Sequence, residues 1–119
     1  MDISVIVPVY NRRELISRAL DSVVRQLAQP TEIIVIDDGS TDGTAELINR
    51  HYPQVKLRQQ PNLGVSAARN HGIRLARSSW IAFLDSDDEW IENKLQRQVT
   101  MLERNPEELC GDRNPANKG

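Results

Sequence analysis

Three aspartates follow a short apolar run in the second half of the chain. Asp85, Asp87 and Asp88 come directly after residues 80–84, which read Trp-Ile-Ala-Phe-Leu. Carboxylates packed this closely repel one another, and burial would raise their pKa values. A hard divalent cation such as Mg²⁺ or Mn²⁺ relieves the repulsion, because it takes oxygen ligands and commonly bridges carboxylates to phosphates. The spacing is therefore typical of a metal site, with a solvated acidic loop before a helix as the alternative.

Two more polar clusters follow strand-like runs. Residues 3–9 lead into Tyr10 and Asn11, and residues 32–36 lead into Asp37 and Asp38. Continuous β-branched runs predict strands covered on both faces, as in a parallel sheet. In such sheets ligands bind beyond the carboxyl ends of the strands, where the strand order reverses. With the order 3-2-1-4, all three polar clusters are expected to line one crevice.

The rest of the chain supplies the elements that this arrangement needs. Alternating patterns predict a mostly parallel α/β sheet with helices on both faces. Pro8 lacks an N–H and is expected to end pairing, and Asn11 with Glu14 has the spacing of a capping box. Gly72 inside a helical pattern predicts close packing or a bend. Strands are predicted at 3–9, 32–37, 55–58 and 80–84, and helices at 11–27, 44–51, 65–76 and from Trp90 to residue 105.

Composition narrows the class of protein. The 119 residues carry a formal net charge of −2, which gives no electrostatic reason to expect nucleic-acid binding. The single cysteine, Cys110, excludes an internal disulfide and a cysteine-based zinc site. No basic region precedes the first apolar run and no apolar run approaches about 20 residues, so we expect neither a signal peptide nor a membrane-spanning segment. We expect a cytoplasmic location without a transmembrane segment, with peripheral attachment at the inner membrane face as a second option.

The motifs resemble those of family 2 glycosyltransferases, which are inverting, nucleotide-sugar-dependent enzymes of the Rossmann-like GT-A fold. The resemblance covers roughly residues 3–102 and rests on four motifs in the same order. They are Val5-Ile6-Val7-Pro8-Val9-Tyr10-Asn11, Ile36-Asp37-Asp38-Gly39-Ser40-Thr41-Asp42-Gly43-Thr44, Asn62-Leu63-Gly64 with Ala68-Arg69-Asn70-His71-Gly72, and Phe83-Leu84-Asp85-Ser86-Asp87-Asp88.

The resemblance implies a role for each matching residue. Asp38 would accept a hydrogen bond from a uracil-type N–H, with Asp37 supporting its loop, and Arg69 would compensate negative charge near the base or phosphates. Asp85 would lie near the ribose, and Asp87 would ligate a Mn²⁺ or Mg²⁺ ion that bridges the diphosphate. The nucleotide-binding set implied in this way is Pro8, Val9, Tyr10, Asp37, Asp38, Arg69, Asp85 and Ser86.

The resemblance also divides the chain. Residues 1–105 correspond to the donor-binding half of such an enzyme, and residues 106–119 are predicted to be a polar, flexible tail. The family's second half supplies the acceptor site and the general base, so no catalytic residue is assigned here and turnover by these residues alone is not expected. The partners would be a nucleotide-sugar donor and an unidentified acceptor. An incomplete sheet would favour self-association.

Two other classes of protein fit parts of the pattern. A phospho-accepting receiver domain also places aspartates and Mg²⁺ at strand ends, but its acidic pair follows the first strand, where this chain has Pro8, Val9 and Tyr10. A non-catalytic interaction domain would keep the fold without the site. Labelling by acetyl phosphate would separate a receiver domain from a glycosyltransferase domain, and metal-dependent binding of UDP would argue against the interaction domain.

Overall fold

The computed structural model describes residues 2–104 and 112–113, in which strands alternate with helices. The strands are β1 (Ile3–Val9), β2 (Glu32–Asp37), β3 (Lys56–Gln59), β4 (Trp80–Phe83) and β5 (Asp112–Arg113). The helices are α1 (Ile16–Val24), α2 (Thr44–His51), α3 (Val65–Leu75) and α4 (Lys94–Arg104). In this part of the chain no helix is both long and apolar enough to cross a membrane.

The first four strands form a parallel sheet in the order β3-β2-β1-β4, which confirms the predicted order. Strand β1 pairs with β2 from Ser4 opposite Glu32 to Val9 opposite Asp37, and with β4 only as far as Ile6 opposite Phe83. The two-residue β5 pairs antiparallel with β4. The predicted tail, residues 106–119, otherwise lies outside the described residues.

Side chains of β1 and β2 point alternately to the two faces of the sheet, and both faces are covered by helices, as predicted. Val5 and Val7 of β1 pack with α1, α2 and α4 in the larger apolar cluster, whereas Ile34 and Ile36 of β2 pack with Ala68 of α3 on the other face. On that second face the backbone of Gly72 approaches β1 closely: a Cβ atom there would lie 2.5 Å from Cγ2 of Ile6. The predicted close packing at this glycine is confirmed.

Pro8 ends pairing on one side of β1 only. Its partner on β2 is Ile36, and the ladder continues to Val9. The carbonyl of Ile6 accepts a hydrogen bond from the N–H of Leu84, just after β4, so Ile6 points its backbone groups toward β4. Pro8, two residues later, has its nitrogen on the same side. There β4 has already ended at Phe83, and the missing N–H leaves no gap in a ladder. The prediction was therefore wrong for β2 and right for β4.

The predicted start of the first helix was wrong. Asn11 has φ +49°, and α1 begins five residues later at Ile16 without a side-chain cap. Asn11 instead bonds to the loop after β2, a long-range partner that no local capping pattern reveals. The last helix also begins later than predicted, at Lys94, and Trp90 is a buried residue of the preceding loop.

Candidate functional site

A crevice of about 310 Å³ opens at the carboxyl ends of the parallel strands, between the ends of β1 and β4. It forms there because the two strands separate beyond Ile6 and Phe83, while β1 continues to Val9. It is lined by Pro8, Val9, Tyr10, Asn11, Arg12, Asp38, Val65, Ala68, Asp85, Ser86 and Asp87. Tyr10 stands at the rim and is 44% exposed. The strand order thus brings the three polar clusters together as predicted.

The aspartates after β4 form one exposed carboxylate cluster. Asp85, Asp87 and Asp88 each place an oxygen within 4.8 Å of the others. A backbone bond from Asp88 N to the carbonyl of Asp85, 3.0 Å long, closes the turn that gathers them. Oxygen donors at this spacing suit Mg²⁺ or Mn²⁺, so the residues present fit a hard divalent cation.

Arginine side chains from two helices hold the acidic loop. Nη2 of Arg18 on α1 donates to the carbonyl of Asp87 at 2.7 Å, and Arg25, at the C-terminal end of the same helix, reaches Glu89 at 3.3 Å. On the other side, Nη2 of Arg69 on α3 lies 3.0 Å from Oδ1 of Asp85. These cations offset the repulsion among the carboxylates.

Arg69 does not line the crevice but contacts Asp85, which does. Its guanidinium carbon stands 5.7 Å from the centre of the Phe83 ring, a cation–π arrangement that fixes its direction. Its buried Nε has no hydrogen-bond partner within the part of the chain that the structure describes.

Asp38 is nearly buried at the end of β2 and is held by three donors. Gln60 Nε2 and the backbone N–H of Leu63 bond to its Oδ1, both at 2.8 Å, and the N–H of Gly64 bonds to Oδ2 at 3.0 Å. Burial raises the pKa of Asp38, but these hydrogen bonds outweigh it and lower the pKa below the usual 3.8. The carboxylate is therefore ionised and accepts hydrogen bonds only.

The loops after β1 and β2 clamp each other at the edge of the crevice. The N–H of Asn11 donates to Oγ of Ser40, and Oδ1 of Asn11 accepts from the N–H of Thr41, both at 2.8 Å. Asp37 lies fully buried behind this clamp and accepts from the N–H of Ser40 at 3.1 Å. Asp37 thus supports the loop and does not line the crevice.

Most of the predicted residues meet in one place. Of the predicted set, the crevice is lined by Pro8, Val9, Tyr10, Asp38, Asp85, Ser86 and Asp87, whereas Asp37 and Arg69 stand one contact behind it. Sequence reasoning missed the supporting roles of Arg18 and Gln60, and the lining residues Arg12 and Val65. The helical pattern places Arg18 on the exposed side of α1 and does not show which loop it reaches.

A second groove, of about 390 Å³, runs along α4 between Gln96 and Arg104. It is larger, but among the described residues its lining contains no carboxylate. The crevice at the strand ends is therefore the candidate site, since acidic and aromatic groups that follow separate strands converge there.

The model of the family described as glycosyl transferase family 2 matches residues 4–119. An uncharacterised glycosyltransferase of Rickettsia conorii is 45% identical over 105 residues, which make up 87% of this chain and 17% of the relative. The chain therefore spans well under half the length of this relative.

Solved structures show the same fold. TarS of S. aureus, residues 1–349, in complex with UDP-GlcNAc superposes with a TM-score of 0.77 at 29% identity, covering 87% of this chain and 32% of that one. The mannosyltransferase PcManGT of Pyrobaculum calidifontis in complex with GDP-Man and Mn²⁺ gives a TM-score of 0.74 at 31% identity, with 84% and 32% covered.

Proposed function

The chain belongs to glycosyl transferase family 2 and has the GT-A fold, and from this membership we propose that its crevice binds a nucleotide-diphosphate sugar together with a divalent cation. The observation that carries the proposal is the convergence of Asp38 and Asp87 in one 310 Å³ crevice. The first is an acceptor suited to a base, and the second belongs to a carboxylate cluster suited to a metal that binds phosphates.

In this proposal the base lies against Pro8, Val9 and Tyr10, and its ring N–H donates to Asp38. Uracil N3 and guanine N1 carry such a hydrogen, whereas cytosine N3 and adenine N1 present a lone pair to the carboxylate. The related structures were solved with UDP-GlcNAc and with GDP-Man. We favour a UDP-sugar, because the sequence motifs resemble those that read uracil, and a GDP-sugar is the second candidate.

The diphosphate lies toward the acidic loop. Asp87, with Asp85 and Asp88 beside it, would hold Mn²⁺ or Mg²⁺, and Asp85 and Ser86 would face the ribose. When bound, the cation supplies Lewis-acid stabilisation of the diphosphate leaving group. Arg69 adds a positive charge through its contact with Asp85.

Transfer of the sugar is an inverting displacement in this proposal. An oxygen of the acceptor bonds to the anomeric carbon, the bond to the diphosphate oxygen breaks, and a general base takes the acceptor's proton. Neither the general base nor the acceptor site is assigned to residues 1–119. For these residues we therefore propose binding of the donor without turnover. We propose that the protein is located in the cytoplasm, with peripheral attachment to the inner membrane face as a second option.

A calorimetric comparison of nucleoside diphosphates in the presence of Mn²⁺ tests the proposal. UDP and GDP should bind at least about tenfold more tightly than CDP and ADP, because a buried acceptor rejects a base that leaves it unpaired. Equal affinity for all four, or no binding of any, would contradict it. Family membership sets the receiver-domain alternative aside, and absence of nucleotide binding would favour a domain that keeps the fold only.

A further inference from the structure

A chain of hydrogen bonds runs from helix α3 to the carboxylate of Asp38. Nδ1 of His71 lies 3.0 Å from Oε1 of Gln60, and Nε2 of Gln60 donates to Oδ1 of Asp38 at 2.8 Å. The three residues come from α3, from the loop after β3 and from the end of β2. None of the sequence motifs connects them.

The direction of this chain is fixed from one end. Asp38 is an ionised carboxylate and only accepts, so the amide of Gln60 must turn its NH₂ group toward it. The opposite orientation would set two oxygens against each other. The carbonyl of Gln60 therefore points at His71, and Nδ1 of His71 must carry the hydrogen that it receives.

Backbone contacts hold Gln60 in place for this task. Its N–H donates to the carbonyl of Asp37 at 2.9 Å, which ties the loop after β3 to the end of β2. The same loop then supplies the N–H groups of Leu63 and Gly64 to Asp38. Losing the side-chain link would leave the carboxylate held only by the backbone N–H groups of Leu63 and Gly64.

We propose that His71 and Gln60 are positioning residues, which form a relay that orients the Asp38 carboxylate toward the nucleobase. The proposal deepens the function proposed above and rests on it for the role of Asp38 in reading the base. In a neutral histidine the relay requires the Nδ1–H tautomer, whereas an unconstrained imidazole prefers Nε2–H. The tautomer is therefore a signature that a purely space-filling His71 would not show.

Nitrogen-15 NMR of the unliganded protein, at a pH about two units above the ordinary histidine pKa of about 6.5, tests the relay without any nucleotide. His71 should show a protonated Nδ1, and the exposed His51 provides the reference within the same chain. Gln60→Leu should shift His71 toward Nε2–H, whereas Gln54→Leu on the exposed loop before β3 should not. A His71 that is Nε2–H in the wild type would overturn the relay.

Two variants of equal size test its effect on binding. In His71→Asn the amide NH₂ can take the place of Nδ1–H, whereas His71→Leu has a similar shape and no donor. With Mn²⁺ present, the UDP affinity of His71→Asn should stay within about twofold of the wild type. That of His71→Leu should fall about fivefold or more, because one hydrogen bond is lost. Equal affinities would overturn the relay. If the wild type binds no nucleotide, the proposed function fails, and the tautomer alone decides the relay.

Discussion

Helix α3 meets strand β1 at Gly72 and Ile6, where a Cβ atom added to the glycine would lie 2.5 Å from Cγ2 of the isoleucine. Gly72→Ala should therefore lower the free energy of unfolding by about 1–3 kcal/mol through overpacking, although alanine favours a helix by about 1 kcal/mol. Urea denaturation measures the change. Asn70→Ala, at an exposed position of the same helix, should be neutral or stabilising, and an equal loss for both variants would contradict the close contact.

Arg18 stabilises the acidic loop through its 2.7 Å bond to the carbonyl of Asp87. Arg18→Gln should weaken Mn²⁺ binding about two- to fivefold, because the loop loses a charge-assisted hydrogen bond that orders it. The affinity is measured by titration with Mn²⁺ alone. Arg25→Gln is the matched control, since Arg25 reaches Glu89 but makes no bond to Asp87. Loss of a positive charge by itself would favour the cation, so equal weakening by both changes would contradict a specific role of the Arg18 bond in ordering the loop.

Asp38 links the stability of the fold to acid pH. Burial raises its pKa, but the hydrogen bonds from Gln60, Leu63 and Gly64 lower it below 3.8 overall. The stability that the ionised group contributes is therefore complete above pH 3.8 and is lost as the pH falls through the lower folded value. Urea midpoints of the wild type and Asp38→Asn should differ at pH 6 and near pH 3.8, and should converge only as the pH falls through the lower folded pKa. A difference that is independent of pH would contradict this assignment.

Glu32 is a stabilising residue at the opposite end of the sheet from the crevice. Its buried carboxylate accepts from Ser4 Oγ at 2.6 Å and from the N–H of Arg77 at 2.7 Å, and it pairs with Lys56 Nζ at 2.6 Å. Glu32→Gln should lower the free energy of unfolding by about 1–3 kcal/mol, because donors lose their partner. UDP affinity should stay within about twofold of the wild type.

The exposed Glu46 of α2 provides the control for Glu32, because Glu46→Gln removes the same charge from the surface. Its effect on stability should stay within about 0.5 kcal/mol. A loss of nucleotide affinity in Glu32→Gln as large as its loss of stability would show that the two ends of the sheet are not independent.

The strands were predictable because local residues determine them, and their order is the common one of doubly wound α/β sheets. Apolar β-branched runs such as residues 3–9 specify buried strands by themselves, and the polar residues after them then fall at one edge of a parallel sheet. The strand order therefore predicts that Asp38 and Asp87 share one crevice, as the structure shows. The roles assigned to them by resemblance stay predictions until a ligand is tested.

The supporting contacts were not predictable, because their partners are distant in sequence. Asn11 has the composition of a helix cap, yet it bonds to Ser40 and Thr41 of another loop. Gln26, just beyond the C-terminal end of α1, is a buried amide whose Oε1 accepts from the N–H of Leu95 in the first turn of α4. A polar residue in a helical pattern indicates exposure, and only the tertiary packing shows which loop or helix end it serves.

Calorimetric titration of UDP into the wild type and into Asp87→Asn, each with and without Mn²⁺, tests the central claim most directly. The account predicts that Mn²⁺ tightens UDP binding to the wild type about tenfold or more, and that Asp87→Asn removes most of this gain while Glu46→Gln keeps it. UDP binding that is independent of Mn²⁺ in the wild type, or an unchanged gain in Asp87→Asn, would contradict a metal-assisted diphosphate site in the crevice.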